Sequence, residues 1–128
     1  MGQKPQILVD TDILIKVYRG HAKHKAILDK EKNKLAISSV TYLELLFGLK
    51  TKRRIIDLNK QMRAYQLIHI SEQISTKALE IVNKYATGNS IRAADALISA
   101  TAIVNNFYLF TDNMNDFDFI KEISFYNL

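Results

Sequence analysis

A chain of 128 residues is the size of one domain, long enough to bury a sizeable core and too short for two ordinary ones. With 48% hydrophobic and 24% charged residues, four glycines and one proline, it is neither disordered nor fibrous in composition, and the lack of cysteine excludes disulfides, thiolate chemistry and zinc–cysteine sites. The excess of 18 Lys+Arg over 13 Asp+Glu, a net charge of +5, favours an anionic partner such as a phosphate backbone.

No apolar run nears the roughly 20 residues that span a bilayer. The start MGQKPQILVD lacks a signal peptide's basic region and long apolar stretch, and no serine or threonine stands at the myristoylation spacing. A soluble, cytoplasmic chain without a membrane anchor is expected.

Along the chain, Ile7-Leu8-Val9 reads as a short buried strand ending at Asp10, with Thr11 or Asp12 available to cap a helix through Tyr18 that Gly20 closes. A polar helix follows over 21–31, then a strand at Leu35-Ala36-Ile37, then a helix capped by Ser38 or Ser39 and running through Leu49. Residues 53–66 carry Ile55, Ile56, Leu58, Met62 and Tyr65 at helical spacing, and 67–70 read as a third strand. Ser71 caps a further helix, which the TGNS stretch at 87–90 stops; the same stretch caps the next helix, IRAADALISATAIV. Residues 107–110 read as a fourth strand, followed by the polar loop TDNMND and a short fifth strand over 123–126. Strands separated by helices require crossover connections, so the fold class is three-layer α/β/α in one domain over residues 1–128, with a mostly parallel sheet of four to five strands.

Ligands of such sheets sit beyond the carboxyl ends of the strands, which puts Asp10 and the loop carrying Asp112 and Asn113 at the site. Glu44 is the one charge in VTYLELLFG, and Asp95 lies in a helix apolar almost all the way round. An ionised acid on such a face must be paired, neutralised or bound to a metal. Arg92, three residues from Asp95, offers a local ion pair; Lys50, six residues from Glu44, is a poor partner. Oxygen ligands without histidine or cysteine suit Mg²⁺ or Mn²⁺ rather than zinc. His21, His24 and His69 fit no ligand pattern; the first two read as surface helix residues and the third as a strand residue.

The runs ILVDTDILI, AISSVTYLELLFG, IRAADALISATA and LFTDNMNDF, in this order and spacing, resemble the PIN-domain ribonucleases, and among them the VapC-type toxins of toxin–antitoxin pairs. The resemblance spans residues 7 to about 120. It implies that Asp10, Glu44 and Asp95 hold one or two divalent metals, Mg²⁺ or Mn²⁺, with Thr11 and Thr111 as accompanying hydroxyls. At the fourth acidic position Asn113 stands where many relatives carry aspartate, flanked by Asp112 and Asp116, and any of the three could complete the site. Asp12 stands where many relatives have serine or asparagine.

The chemistry implied is metal-assisted hydrolysis of an RNA phosphodiester, with Glu44 as second-metal ligand or as base toward the attacking water. Crowded carboxylates should raise one another's pKa and destabilise the metal-free site. Lys50, Lys52, Arg53 and Arg54 would hold the RNA backbone, and the apolar surface over 40–67 would receive an antitoxin segment and form a homodimer. Two rivals are a phosphatase of the haloacid dehalogenase class, against which Leu14 occupies a place that family fills with threonine or valine, and a catalytically inactive PIN-fold module binding RNA or protein.

Overall fold

The computed structural model describes residues 6–127; the N-terminal stretch on which the anchor and signal-peptide expectations rest lies largely outside them. Five strands, β1 (Ile7–Val9), β2 (Leu35–Ser38), β3 (Gln66–Ile68), β4 (Tyr108–Phe110) and β5 (Ser124–Phe125), form one sheet in the order β3-β2-β1-β4-β5. Every pairing is parallel, with Ile7 beside Leu35 on one side and Tyr108 on the other. Six helices make the crossovers: α1 (Thr11–Tyr18), α2 (Ala22–Lys30), α3 (Ser39–Phe47), α4 (Lys52–Met62), α5 (Glu72–Tyr85) and α6 (Ala93–Asn105).

Strand periodicity builds both faces. Ile7, Val9, Leu35, Ile37 and Phe110 point to one side, where they pack with Ile13 and Leu14 of α1, Leu28 of α2, Leu45 of α3 and Leu58 of α4. Leu8, Ala36 and Leu109 point to the other, against Ile98 and Ala102 of α6 and Phe117. Behind α6, Ile74, Ala78 and Ile81 of α5 pack on Ala96 and Ala100, so α6 is covered on two sides. That double covering explains its nearly continuous apolar sequence. Because β1 pairs with β2 and β4, whose connections leave toward opposite layers, the crevice between Asp10 and Thr111 is the switch point of the sheet.

Several boundaries differ from the sequence reading. Asp10, not Thr11 or Asp12, caps α1: its Oδ1 accepts from the Thr11 N–H at 2.8 Å. Of the two candidate serines Ser38 caps α3, which ends at Phe47 and not Leu49, and α4 stops at Met62, with 63–65 spent on the turn into an edge strand that begins at Gln66 and is largely exposed. The TGNS stretch ends α5, but the residue at the start of α6 is Arg92, which makes no side-chain cap bond. Among the described residues no helix is long and apolar enough to cross a membrane.

Candidate active site

Three of the predicted acids come to the carboxyl edge of the sheet because each stands at the start of a helix that leaves it or one turn inside. Asp10 follows β1 and is 6% exposed; Asp95, 4% exposed, lies in the first turn of α6; Glu44 is half-buried on α3. Thr11 joins the end of β1 to α3: its amide donates to Asp10, and its hydroxyl lies 2.7 Å from Glu44 Oε1 and 3.1 Å from the buried Thr41 hydroxyl. Thr111, at the end of β4, donates to Asp10 Oδ2 at 2.8 Å and accepts the Asn113 amide at 3.0 Å. The β1 and β4 ends are locked in register by the Asp10 N–H donating to the Phe110 carbonyl at 2.9 Å.

Asp12 joins the cluster from α1. Its Oδ2 accepts the Asp112 amide at 3.0 Å, while its buried Oδ1 has no hydrogen-bond partner among the described residues. The consequence falls on Asp10. Burial first, and the Asp12 charge second, push its carboxyl up to about 7 against the hydrogen bonds from Thr111 and the Thr11 amide. Of the acids expected to raise one another, Asp10 is the one held high here, and burial contributes more to this than the neighbouring charge.

Asp95 is paired. Arg92 Nε and Nη2 each donate to one of its oxygens at 3.2 Å, so the local ion pair that the spacing allowed is present. The guanidinium is held above its ordinary pKa by these bonds and the Asp95 charge, with lesser contributions from Glu44 and Asp116. Asp116 thus lies within electrostatic range of the same cation.

Asp112 turns away from this group. Its carboxylate accepts from Lys16 and lies 2.7 Å from His24 Nε2, whose ring stacks on Phe110. Burial acts to raise Asp112, but the bonds and charges of Lys16 and His24 outweigh it and the carboxyl lies below its usual range. His24, read from the sequence as a surface residue, is thus a half-buried residue of α2 whose ring packs on β4. His21 starts α2 and is exposed, as is His69, which follows β3. Of the basic cluster, Arg54 lines a groove of about 320 Å³ with Glu44, Arg19, Ile15 and Leu58, whereas Lys50, Lys52 and Arg53 do not line it. Arg53 instead reaches Asp57 on the outer face of α4, 3.6 Å away. Arg19 had no signal in the sequence, since only the α1–α3 packing brings it beside Glu44.

The donor set, all oxygen and with one buried carboxylate oxygen unpartnered, fits a hard divalent cation in its chemistry. Among the described residues no three acidic or histidine side chains are gathered closely enough to hold a metal ion as they stand, and Glu44 is bonded to Thr11 and Asp95 to Arg92.

The PIN domain family model matches residues 7–122. The chain belongs to the PIN-domain family. Within it, the chain is 31% identical over 121 residues to Ribonuclease VapC1 of Methanocaldococcus jannaschii, covering 94% of this chain and 85% of that protein. It superposes on a toxin–antitoxin complex from Klebsiella pneumoniae with a TM-score of 0.81 at 27% identity, covering 96% of this chain and all of the other. A DNA-bound VapBC2 structure from Rickettsia felis shares the fold, with a TM-score of 0.85 at 22% identity over 98% of this chain and 99% of that one. This PIN domain thus sits in the VapC-like branch, with the α/β/α architecture and parallel sheet the sequence implied.

Proposed function

We propose that this PIN domain is a metal-dependent endoribonuclease, the toxin half of a VapBC-type pair acting in the cytoplasm. The observation that carries the reading is the Thr11 bridge: one residue holds Asp10 and Glu44 together at the switch point, while Asp95 stands buried in the first turn of α6. Asp10, Glu44 and Asp95 would hold one or two Mg²⁺ or Mn²⁺ ions. Held there, such an ion would supply charge to offset the phosphate oxygens and lower the pKa of a water.

The remaining work falls to the chain. Thr111 and the Thr11 amide fix both oxygens of Asp10, so the carboxylate is oriented before substrate arrives. Glu44, half-buried and anchored through one oxygen, leaves the other to accept a proton from the attacking water or to serve as a ligand. Asp116, which shares the field of Arg92, takes the fourth acidic position in preference to Asp112, spent on Lys16 and His24, and to Asn113. Arg54 and Arg19, in the groove beside Glu44, contact backbone phosphates; Lys50, Lys52 and Arg53 act at longer range on the same polyanion.

Antitoxin binding and homodimer formation are assigned to the apolar surface of α3 and α4. Phe47 is 85% exposed and Leu43 53%, with Ile56 exposed nearby on α4. The toxin–antitoxin complexes among its structural relatives support the partner. The test compares RNA cleavage by the wild type and by Asp95→Asn, with Mg²⁺, with Mn²⁺ and with EDTA. Cleavage that needs metal and vanishes in a folded variant supports the assignment. RNA binding without cleavage under every condition would replace it with the inactive binding module.

A further inference from the structure

Arg92 stands where a helix normally wants something else. It occupies the N-cap position of α6, makes no cap bond there, and puts a cation against the positive end of the helix dipole. Serine, threonine or aspartate at that position would stabilise the helix by about 1 kcal/mol. What Arg92 does instead is cover Asp95. Its two donors engage both carboxylate oxygens, and its side chain is 73% exposed where that of Asp95 is 6% exposed. The arm thus lies on the solvent side of a buried acid, and these two bonds are its only side-chain hydrogen bonds among the described residues. Glu44 and Asp116 add weaker, longer-range attraction to the same guanidinium.

We propose that Arg92 is an internal counter-ion that competes with the divalent cation for Asp95, and so sets the metal concentration at which the nuclease switches on. This rests on the assignment of Asp95 as a metal ligand. A cation and a bidentate guanidinium cannot share both oxygens of one carboxylate at full strength, so each weakens the hold of the other on Asp95 and metal binding favours release of the Arg92 arm. The arm is exposed and tied at one place only, which makes that exchange low in cost. Removing it leaves Asp95 open to the cation and removes a positive charge from the approach.

The experiment titrates Mn²⁺ into wild type, Arg92→Gln, Arg92→Lys and Asp95→Asn by calorimetry on the full chain, with no RNA present. Arg92→Gln is expected to bind Mn²⁺ about two- to fivefold more tightly than wild type, as loss of one partly exposed ion pair predicts. Arg92→Lys, which keeps the charge and loses the fork, should fall between them, and Asp95→Asn should bind far more weakly than all three. Circular dichroism of each variant reports its fold, and Arg92→Lys carries the comparison should Arg92→Gln fail to fold. Equal or weaker binding by both Arg92 variants overturns the proposal while leaving the metal site standing. Absence of Mn²⁺ binding by the wild type, or an undiminished affinity in Asp95→Asn, overturns the metal assignment and the proposal with it.

Discussion

Asp10→Asn should make the metal-free protein more stable while abolishing its cleavage. The asparagine can keep the local bonding: Oδ1 accepts the Thr11 amide, and Nδ2 donates to the Thr111 hydroxyl, which then turns its own proton to Asp12 Oδ2, already within 3.5 Å. What disappears is a buried ionisable group. Its folded pKa of about 7 stands above the ordinary value of 3.8, so the folded state binds more protons than the unfolded chain between those two values. Stability from this site is therefore fully present below about pH 4 and is lost as pH rises through 7. At 1.36 kcal/mol per unit, ionised Asp10 costs the fold about 4 kcal/mol near pH 7.5, and the cost shrinks to about 1 kcal/mol near pH 4.5. Urea unfolding in EDTA at the two pH values measures this directly. The variant should gain about 2–4 kcal/mol at the higher pH, a rise in Tm on the order of 10 °C, and much less at the lower. Added Mn²⁺ should reverse the order, because only the wild type gains from binding. A variant less stable than wild type at neutral pH, or a gain independent of pH, would refute the reasoning.

Other substitutions separate structure from chemistry. Ser99 is fully buried with its hydroxyl unpartnered, so Ser99→Ala should be neutral or stabilising by up to about 1 kcal/mol in thermal unfolding. Glu44→Gln keeps an acceptor for Thr11 and should leave the fold within about 0.5 kcal/mol, yet lower the cleavage rate about a hundredfold or more in an RNA assay. Asp112→Asn removes the charge that Lys16 and His24 hold while its amide bond to Asp12 remains. Its loss should cost up to about 1 kcal/mol at neutral pH and nothing once acid has protonated the wild-type carboxyl, the opposite pH trend to Asp10.

The order of elements, the parallel sheet and the location of Asp10, Glu44 and Asp95 at helix starts or on apolar faces were legible in the residues alone. They depend on local signals: period-two and period-3.6 apolar spacing, Ser38 and Ser71 as caps, and glycine at the chain reversals. The near-continuous apolar run of α6 even announced its burial between the sheet and α5. Pairings between distant segments were not legible. That Asp112 faces Lys16, 96 residues away, and His24, and not the other acids, follows from how α1 and α2 pack beside β4, as does the stacking of His24 on Phe110. The Thr11 hydroxyl reaches Glu44 across 33 residues, and Arg19 joins its groove, only because α1 and α3 leave neighbouring strands. Sequence determined which residues had to be buried or capped, since those costs are paid within a turn or a strand. Tertiary structure decided which charge met which, because electrostatic partners are chosen by distance in space, and a few ångströms separate a counter-ion from a bystander.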